Sequence, residues 1–188
     1  MLTRFITKKL RWLCLALIVM PVMAATAESS ASEYAVKAAM IYKITKFVSW
    51  PEDAFIRKDS PLNICMADKS PFTEAMASLK GRKVNSHKVE IITFKEFSAV
   101  QVHCQVLVVS HKKARQVDAM IAGIGTRPIL TIGDSEGFAE QGGIVGLQQE
   151  QNRIGFAINV EASERVGLQI SAQLLQLATI VGTMEGRS

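Results

Sequence analysis

The segment Gly-Asp-Ser-Glu-Gly, which follows a predicted buried strand, groups the polar side chains best suited to chemistry in this sequence. Asp134 and Glu136 supply carboxylates, Ser135 supplies a hydroxyl, and Gly137 ends the segment. A hydrolase needs a base to activate its serine, but no histidine follows His111. We therefore predict no catalytic residue. Two interpretations stay open: a tight turn that depends on its glycines, and a small-ligand loop formed by these four residues.

The cysteines offer a second kind of chemistry. Two of the three, Cys65 and Cys104, lie beyond the N-terminal leader described below. Cys104 adjoins His103, which suits a nucleophilic cysteine, and a metal site would add His87 or His111, but these residues lack the spacing of metal ligands. We predict instead a disulfide between Cys65 and Cys104, because an even number of cysteines in an exported chain indicates pairing. We expect no bound metal and no cofactor.

The N-terminal residues have the organisation of a cleaved signal peptide. A basic segment from Arg4 to Arg11 precedes an apolar run from Leu13 to Met23, and Ala25-Thr26-Ala27 matches a cleavage site. The alternative is a retained membrane anchor, but the run is about half the ~20 residues that a spanning helix needs. We predict a cleaved leader over residues 1–27 and one exported domain over residues 28–188, with no membrane span.

Composition and charge exclude several classes of protein. Of the 188 residues, 48% are hydrophobic and 21% are charged, which is typical of a globular domain rather than a disordered chain. The formal charge is +5, but the leader carries four bases and no acid, which leaves 18 bases against 17 acids in the remainder. A nucleic-acid-binding protein shows a basic surplus in its folded part. We therefore expect no nucleic acid among the partners.

Helical and strand patterns alternate along the exported part of the chain. This alternation predicts an α/β fold, a three-layer sandwich in which a mostly parallel sheet carries helices on both faces and gains a late antiparallel hairpin. Predicted strands are 61–67, 89–94, 105–110, 128–133, 144–149 and 153–160, and predicted helices are 34–50, 70–80, 112–122 and 162–181, with one helical turn at 97–100.

The first predicted helix has two apolar stripes, whereas a surface helix normally has one. One stripe runs from Tyr34 through Ile41 to Val48 and should face the sheet. The second stripe consists of Val36, Met40, Ile44 and Phe47, with Lys37 at one margin and Lys43 at the other. It needs a second cover, and three remain open: another element of the domain, a second copy of the chain, or a partner protein. We predict that Val36, Met40, Lys43, Ile44 and Phe47 form a partner or dimer interface.

Three segments of the sequence resemble motifs of the YfiR-like family of exported bacterial proteins. They are YAVKAAMIYKITKFVSWP (Tyr34–Pro51), ILTIGDSEGFAEQGGIVGL (Ile129–Leu147) and RIGFAINVEASERVGLQISAQLLQLA (Arg153–Ala178). They occur in the family's order, and the resemblance extends from about residue 33 to residue 181. Cys65 and Cys104 look like one of the family's two cysteine pairs, whereas the other pair, which would fall near Ala139 and Gly146, is absent.

The resemblance implies a periplasmic, non-enzymatic regulator that is dimeric and sensitive to redox conditions. Such a protein binds the periplasmic part of an inner-membrane signalling protein, a diguanylate cyclase or a kinase, and represses it, so it acts on cyclic-di-GMP signalling. The missing second cysteine pair puts redox switching through that pair in doubt. The alternative function is a periplasmic small-molecule binding module with its pocket at the loop from Gly133 to Gly143.

Overall fold

The computed structural model of the protein describes residues 25–95, 103–110, 114–150 and 153–182. The chain divides into two units, Met1–Ser32 and Glu33–Ser188. Nearly all of the predicted signal peptide and the helical turn predicted at 97–100 lie outside the described residues. Within the described ranges, no helix combines the length and apolar character that crossing a membrane requires.

The described residues form five α-helices and ten strands. The helices are α1 (Ala25–Thr45), α2 (Thr73–Ala77), α3 (Ala114–Ile124), α4 (Val160–Arg165) and α5 (Ala172–Leu175), and a 3₁₀ helix covers Glu52–Ala54. The strands are β1 (Val48–Ser49), β2 (Leu62–Ala67), β3 (Lys83–Val84), β4 (His87–Phe94), β5 (Val106–Val109), β6 (Leu130–Gly133), β7 (Val145–Glu150), β8 (Arg153–Asn159), β9 (Gln169–Ile170) and β10 (Thr179–Val181).

Eight of the strands form one sheet in the order β10-β8-β7-β6-β5-β2-β4-β3. Five neighbouring pairs are parallel, and the pairs β7–β8 and β3–β4 are antiparallel. The β7–β8 pair is the predicted late hairpin, with Glu150 opposite Arg153. The mixed α/β fold with a mostly parallel sheet is therefore confirmed.

The two faces of the central strands pack against different helices. Because side chains alternate along a strand, Ile64 and Met66 of β2 enter one core cluster together with Ile41 of α1. Cys65, between them, enters a second cluster together with Val117 of α3. The sheet is consequently covered on both sides, as a three-layer arrangement requires.

The first predicted helix ends earlier than the sequence indicated. It was expected to reach Trp50, but α1 stops at Thr45, whose hydroxyl donates to the carbonyl of Ile41 at 2.7 Å. The chain then turns, and Val48 pairs with Ile170 in the small antiparallel sheet β1–β9. A β-branched residue such as Val48 suits a strand, and here it is almost fully buried, so tertiary pairing outweighs the helical periodicity.

The closing helix predicted over residues 162–181 is wrong. The structure replaces it with α4, β9, α5 and β10. Gly167, at a φ of 72°, follows the end of α4 in a left-handed conformation that favours glycine. Ser171 then begins a new helix, because its hydroxyl accepts a hydrogen bond from the Leu174 amide at 3.3 Å. Two local signals thus divide a segment whose apolar spacing alone indicated one helix.

Candidate functional site

The carboxyl ends of the parallel strands bring three polar segments to one edge of the sheet. β2 leads to Ser70, β5 leads to Ser110, and β6 leads to Asp134. The Oγ atoms of Ser70 and Ser110 lie 3.3 Å apart, although 40 residues separate them in the chain. Ligands of open α/β sheets bind at this edge, so we take it as the first candidate region.

A buried charge cluster lies where α1 crosses the end of β6. The Nζ atom of Lys37 is 3.2 Å from an Asp134 carboxylate oxygen and 2.5 Å from a Glu33 carboxylate oxygen. The Asp134 side chain is 0% exposed and that of Lys37 is 6% exposed. The Lys37 ammonium also lies 4.9 Å from the centre of the Tyr34 ring. A buried charge is tolerated only when it is paired, so this cluster ties α1 to the sheet.

The cluster changes the protonation behaviour of two of its members. Burial alone would lower the pKa of Lys37, but its hydrogen bonds and ion pairs with Glu33 and Asp134 raise that pKa above its ordinary value. Burial and the negative charge of Asp134 raise the pKa of the Tyr34 hydroxyl. Lys37 therefore stays charged and Tyr34 stays neutral well above pH 7.

The glycine-rich loop after β6 folds around an aromatic ring. The Phe138 side chain is 1% exposed, and a Cβ added at Gly133 or Gly143 would overlap its ring. Gly137 and Gly142 have φ angles of 67° and 95°, the left-handed region where glycine is favoured. The interior of this loop is thus filled by the chain's own side chain.

The four residues of the predicted ligand loop have different surroundings. Asp134 is buried in the charge cluster, Glu136 is exposed, and Gly137 forms the turn. The Ser135 hydroxyl oxygen is buried and has no hydrogen-bond partner among the described residues. A ligand-binding role of the four residues stays a prediction.

The outer face of α1 is where the second apolar stripe was expected, and the structure divides that stripe. Val36 is 48% exposed and Phe47 is 40% exposed. Met40 is half-buried and packs against the core, and Ile44 is 2% exposed within it. Ile44 therefore belongs to the sheet-facing side of the helix. The buried side of α1 is wider than its sequence pattern indicated.

Basic side chains surround the exposed part of that helix. Lys43 is exposed on the same face, and the Lys46 ammonium lies 4.7 Å from the centre of the Tyr42 ring. The Arg82 guanidinium approaches the same ring at 5.7 Å, and the Tyr42 hydroxyl donates to the carbonyl of Lys83 at 2.9 Å. We define the α1 outer face as Val36 and Lys43 of α1 together with Lys46 and Phe47, which lie in the turn that follows it. Its chemistry is apolar and positively charged.

The disulfide joins the two central strands. Cys65 of β2 is bonded to Cys104, just before β5, and their Cα atoms are 5.9 Å apart. The pairing predicted from the sequence is therefore present, and a bonded sulfur is not available as a nucleophile. Among the described residues, no group of three or more histidine, cysteine or acidic side chains is placed to hold a metal ion.

Sequence reasoning missed two features of this edge. It placed Lys37 at the margin of the apolar stripe, whereas Lys37 is buried against Asp134. Glu33, four residues before Lys37, indicates an ion pair along the helix, but no signal in the sequence shows that Lys37 is buried. No local signal predicts the contact between Ser70 and Ser110, because it depends on the order of strands in the sheet.

The comparisons with known proteins concern most of the chain. The YfiR/HmsC-like family matches residues 34–179. No curated protein matches the chain. A solved structure of a conserved domain protein from Vibrio cholerae O1 biovar El Tor is similar, with 14% sequence identity and a TM-score of 0.48. The match covers 78% of this chain, and this chain spans 59% of the length of that one.

Proposed function

The chain belongs to the YfiR/HmsC-like family, and from this premise we propose that it is a periplasmic regulator without catalytic activity. It binds the periplasmic part of an inner-membrane signalling protein, a diguanylate cyclase, and represses it. Family membership over residues 34–179 is the observation that carries this proposal.

The α1 outer face is the surface that suits such an interaction. Large exposed apolar side chains beside charged ones are typical of interface centres, and Phe47 and Val36 are both more than a third exposed. Lys43 and Lys46 add positive charge at the same place. The face therefore fits a partner surface that offers an apolar pocket bordered by carboxylates.

The disulfide supports an oxidising location. Disulfides persist in the bacterial periplasm and are rare in the reducing cytosol, and Cys65–Cys104 closes a segment of 39 residues. Together with the predicted signal peptide, this bond favours the periplasm as the place of action.

The proposal is tested in cells by the level of cyclic-di-GMP. Deletion of the gene should raise cyclic-di-GMP, and the wild-type chain should restore the low level. Phe47→Glu should fail to restore it, because a carboxylate replaces the apolar anchor and repels acidic groups on the partner. Leu177→Glu is the matched control, since Leu177 is 74% exposed and lies outside α1, and it should act like the wild type.

Two results would count against the proposal. Deletion that leaves cyclic-di-GMP unchanged would contradict repression of a cyclase. Full repression by Phe47→Glu would contradict the assignment of the α1 outer face. Sedimentation of the purified chain tests whether a second copy of the chain, rather than a partner protein, covers this face. A second copy would make the wild type dimeric and the Phe47→Glu variant monomeric.

A further inference from the structure

The sheet has a topological switch point between β2 and β5. The chain leaves β2, passes through α2 and enters β4 on one side of β2, whereas the next strand, β5, pairs with the other side. The segments that follow β2 and β5 therefore lead away from each other. In open α/β sheets this divergence leaves a crevice at the carboxyl ends of the two strands, where ligands bind.

A cavity of about 370 Å³ lies at this switch point. Its lining includes residues after β2, β4 and β5, together with one residue of α3. The volume falls within the range of small-molecule sites, roughly 300–1,000 Å³. The cavity is separate from the loop around Phe138, whose residues do not line it.

The polar lining of this cavity is positively charged. Lys69 and Lys95 both line it, and none of the described residues of its lining is an aspartate or a glutamate. Neither lysine forms an ion pair with a carboxylate of the described residues. The hydroxyls of Ser70 and Ser110 lie between the two strand ends. These hydroxyls are hydrogen-bonded to each other, which leaves one O–H free to donate. Two cations and one free hydroxyl donor around one space suit an anionic group.

The remaining wall is apolar. Phe94 comes from the end of β4, and Met120 comes from α3 on the opposite side. Methionine adapts its shape and packs favourably against aromatic rings. A ligand for this cavity therefore combines an anion with an apolar body.

A larger cavity, about 480 Å³, lies near the opposite edge of the sheet beside Cys104. Two amide side chains of its lining already bind the protein's own backbone. The Gln105 amide donates to the carbonyl of Ala54 at 2.8 Å, and the Asn63 amide donates to the carbonyl of His103 at 2.6 Å. Its larger volume favours this cavity, but these side chains are already hydrogen-bonded within the protein.

We propose that the switch-point cavity, lined by Lys69, Ser70, Phe94, Lys95, Ser110 and Met120, binds a small organic anion. The ligand carries a carboxylate or phosphate group on an apolar body. The lysines and serines hold the anion, while Phe94 and Met120 contact the apolar part. This site is distinct from the α1 outer face, and it stands whether or not the chain represses a cyclase.

The test uses phenyl phosphate as the probe, with inorganic phosphate and phenol as its two separate halves. Titration of the ¹⁵N-labelled protein should shift the amide resonances of Lys69, Ser70, Lys95 and Ser110, and phenyl phosphate should bind more tightly than either half. Lys69→Gln combined with Lys95→Gln should weaken binding by about tenfold, because two partly exposed ion contacts are lost. Lys58→Gln combined with Lys88→Gln is the control, since both lysines are exposed and lie outside this cavity.

The proposal is overturned if phenyl phosphate leaves these four amide resonances unchanged at its highest soluble concentration. It is also overturned if the Lys69/Lys95 variant binds as well as the control variant. Equal affinity for inorganic phosphate and phenyl phosphate would contradict the apolar part of the assignment. All variants are compared by thermal melting, and we expect these exposed substitutions to melt like the wild type.

Discussion

Two regions at the carboxyl edge of the same sheet differ sharply. At the end of β6, the loop is closed around Phe138, and Lys37 pairs with Asp134 where α1 crosses it. At the ends of β2 and β5, a cavity of about 370 Å³ is open between lysines and serines. We call them the closed region and the open region.

The difference shows that a loop with a ligand-binding motif has room for a ligand only where the protein's own side chains do not fill it. The closed region holds the glycines and carboxylates that most resemble a ligand loop in the sequence, but Gly133 and Gly143 make room for a ring. The open region has no distinctive motif. It arises because the order of strands separates two segments of chain.

The strongest test of the closed region removes its buried cation. Lys37→Met should reduce the free energy of unfolding by about 3–5 kcal/mol, because the buried Asp134 carboxylate loses its partner. Urea unfolding measures the change, and Lys43→Met, an exposed lysine on the same helix, should change stability by less than about 0.5 kcal/mol. Equal stability of the two variants would show that the pair does not secure this region.

The disulfide is expected to matter next, and it acts on the two strands whose ends form the open region. Cys65→Ser combined with Cys104→Ser should reduce the free energy of unfolding by up to about 4 kcal/mol in the chain-entropy model, because the bond closes 39 residues. Since the bond joins β2 to the segment before β5, hydrogen exchange should increase most in those two strands. Exchange that increases first around Phe138 would contradict this distinction.

The glycines of the closed region allow a more local test. Gly143→Ala should reduce stability by about 1–3 kcal/mol, because the added methyl overlaps the Phe138 ring in a tightly packed site. Gly146 is a useful comparison, since its added Cβ would lie 3.2 Å from the Ala139 backbone nitrogen and would need only a small shift. If Gly143→Ala melts at the wild-type temperature, the loop is not packed as described.

The smallest effect is a dependence on alkaline pH. The pKa values of Tyr34 and Lys37 are raised above their ordinary values of 10.0 and 10.5. The folded state therefore binds these protons more tightly than the unfolded state does. The stability that they contribute is complete below pH 10 and falls as the pH rises through and above these values. Tyr34→Phe should make this fall shallower, and an unchanged slope would argue against Tyr34 as a contributor.

The sequence predicts the sheet better than it predicts the elements at its ends. The runs that became β5 and β6 are almost continuously apolar, which is typical of strands buried on both faces, and both were located correctly. The helix predicted from Ala162 to Val181 was wrong, because Gly167 and the Ser171 cap interrupt a segment with clear helical periodicity. Residues that end or begin a helix can outweigh the periodicity of apolar residues when strand pairing replaces the lost helical hydrogen bonds.

The candidate sites also differ in how far the sequence predicts them. The disulfide was predictable, because two cysteines in an exported chain leave few alternatives. The interface predicted on the first helix stays a prediction, although Ile44 is buried whereas Val36 and Phe47 are exposed. The open region was beyond the sequence, because it depends on which strands become neighbours, and that choice is made by long-range packing.

The central claim is that this chain acts by binding a signalling protein through the α1 outer face. The most direct measurement is the affinity of the purified chain for the periplasmic domain of a diguanylate cyclase from the same organism, by titration calorimetry. We predict that the wild type and Leu177→Glu bind equally well, and that Phe47→Glu loses at least tenfold in affinity while melting like the wild type. Equal binding by all three proteins, or no binding by the wild type, would contradict the account.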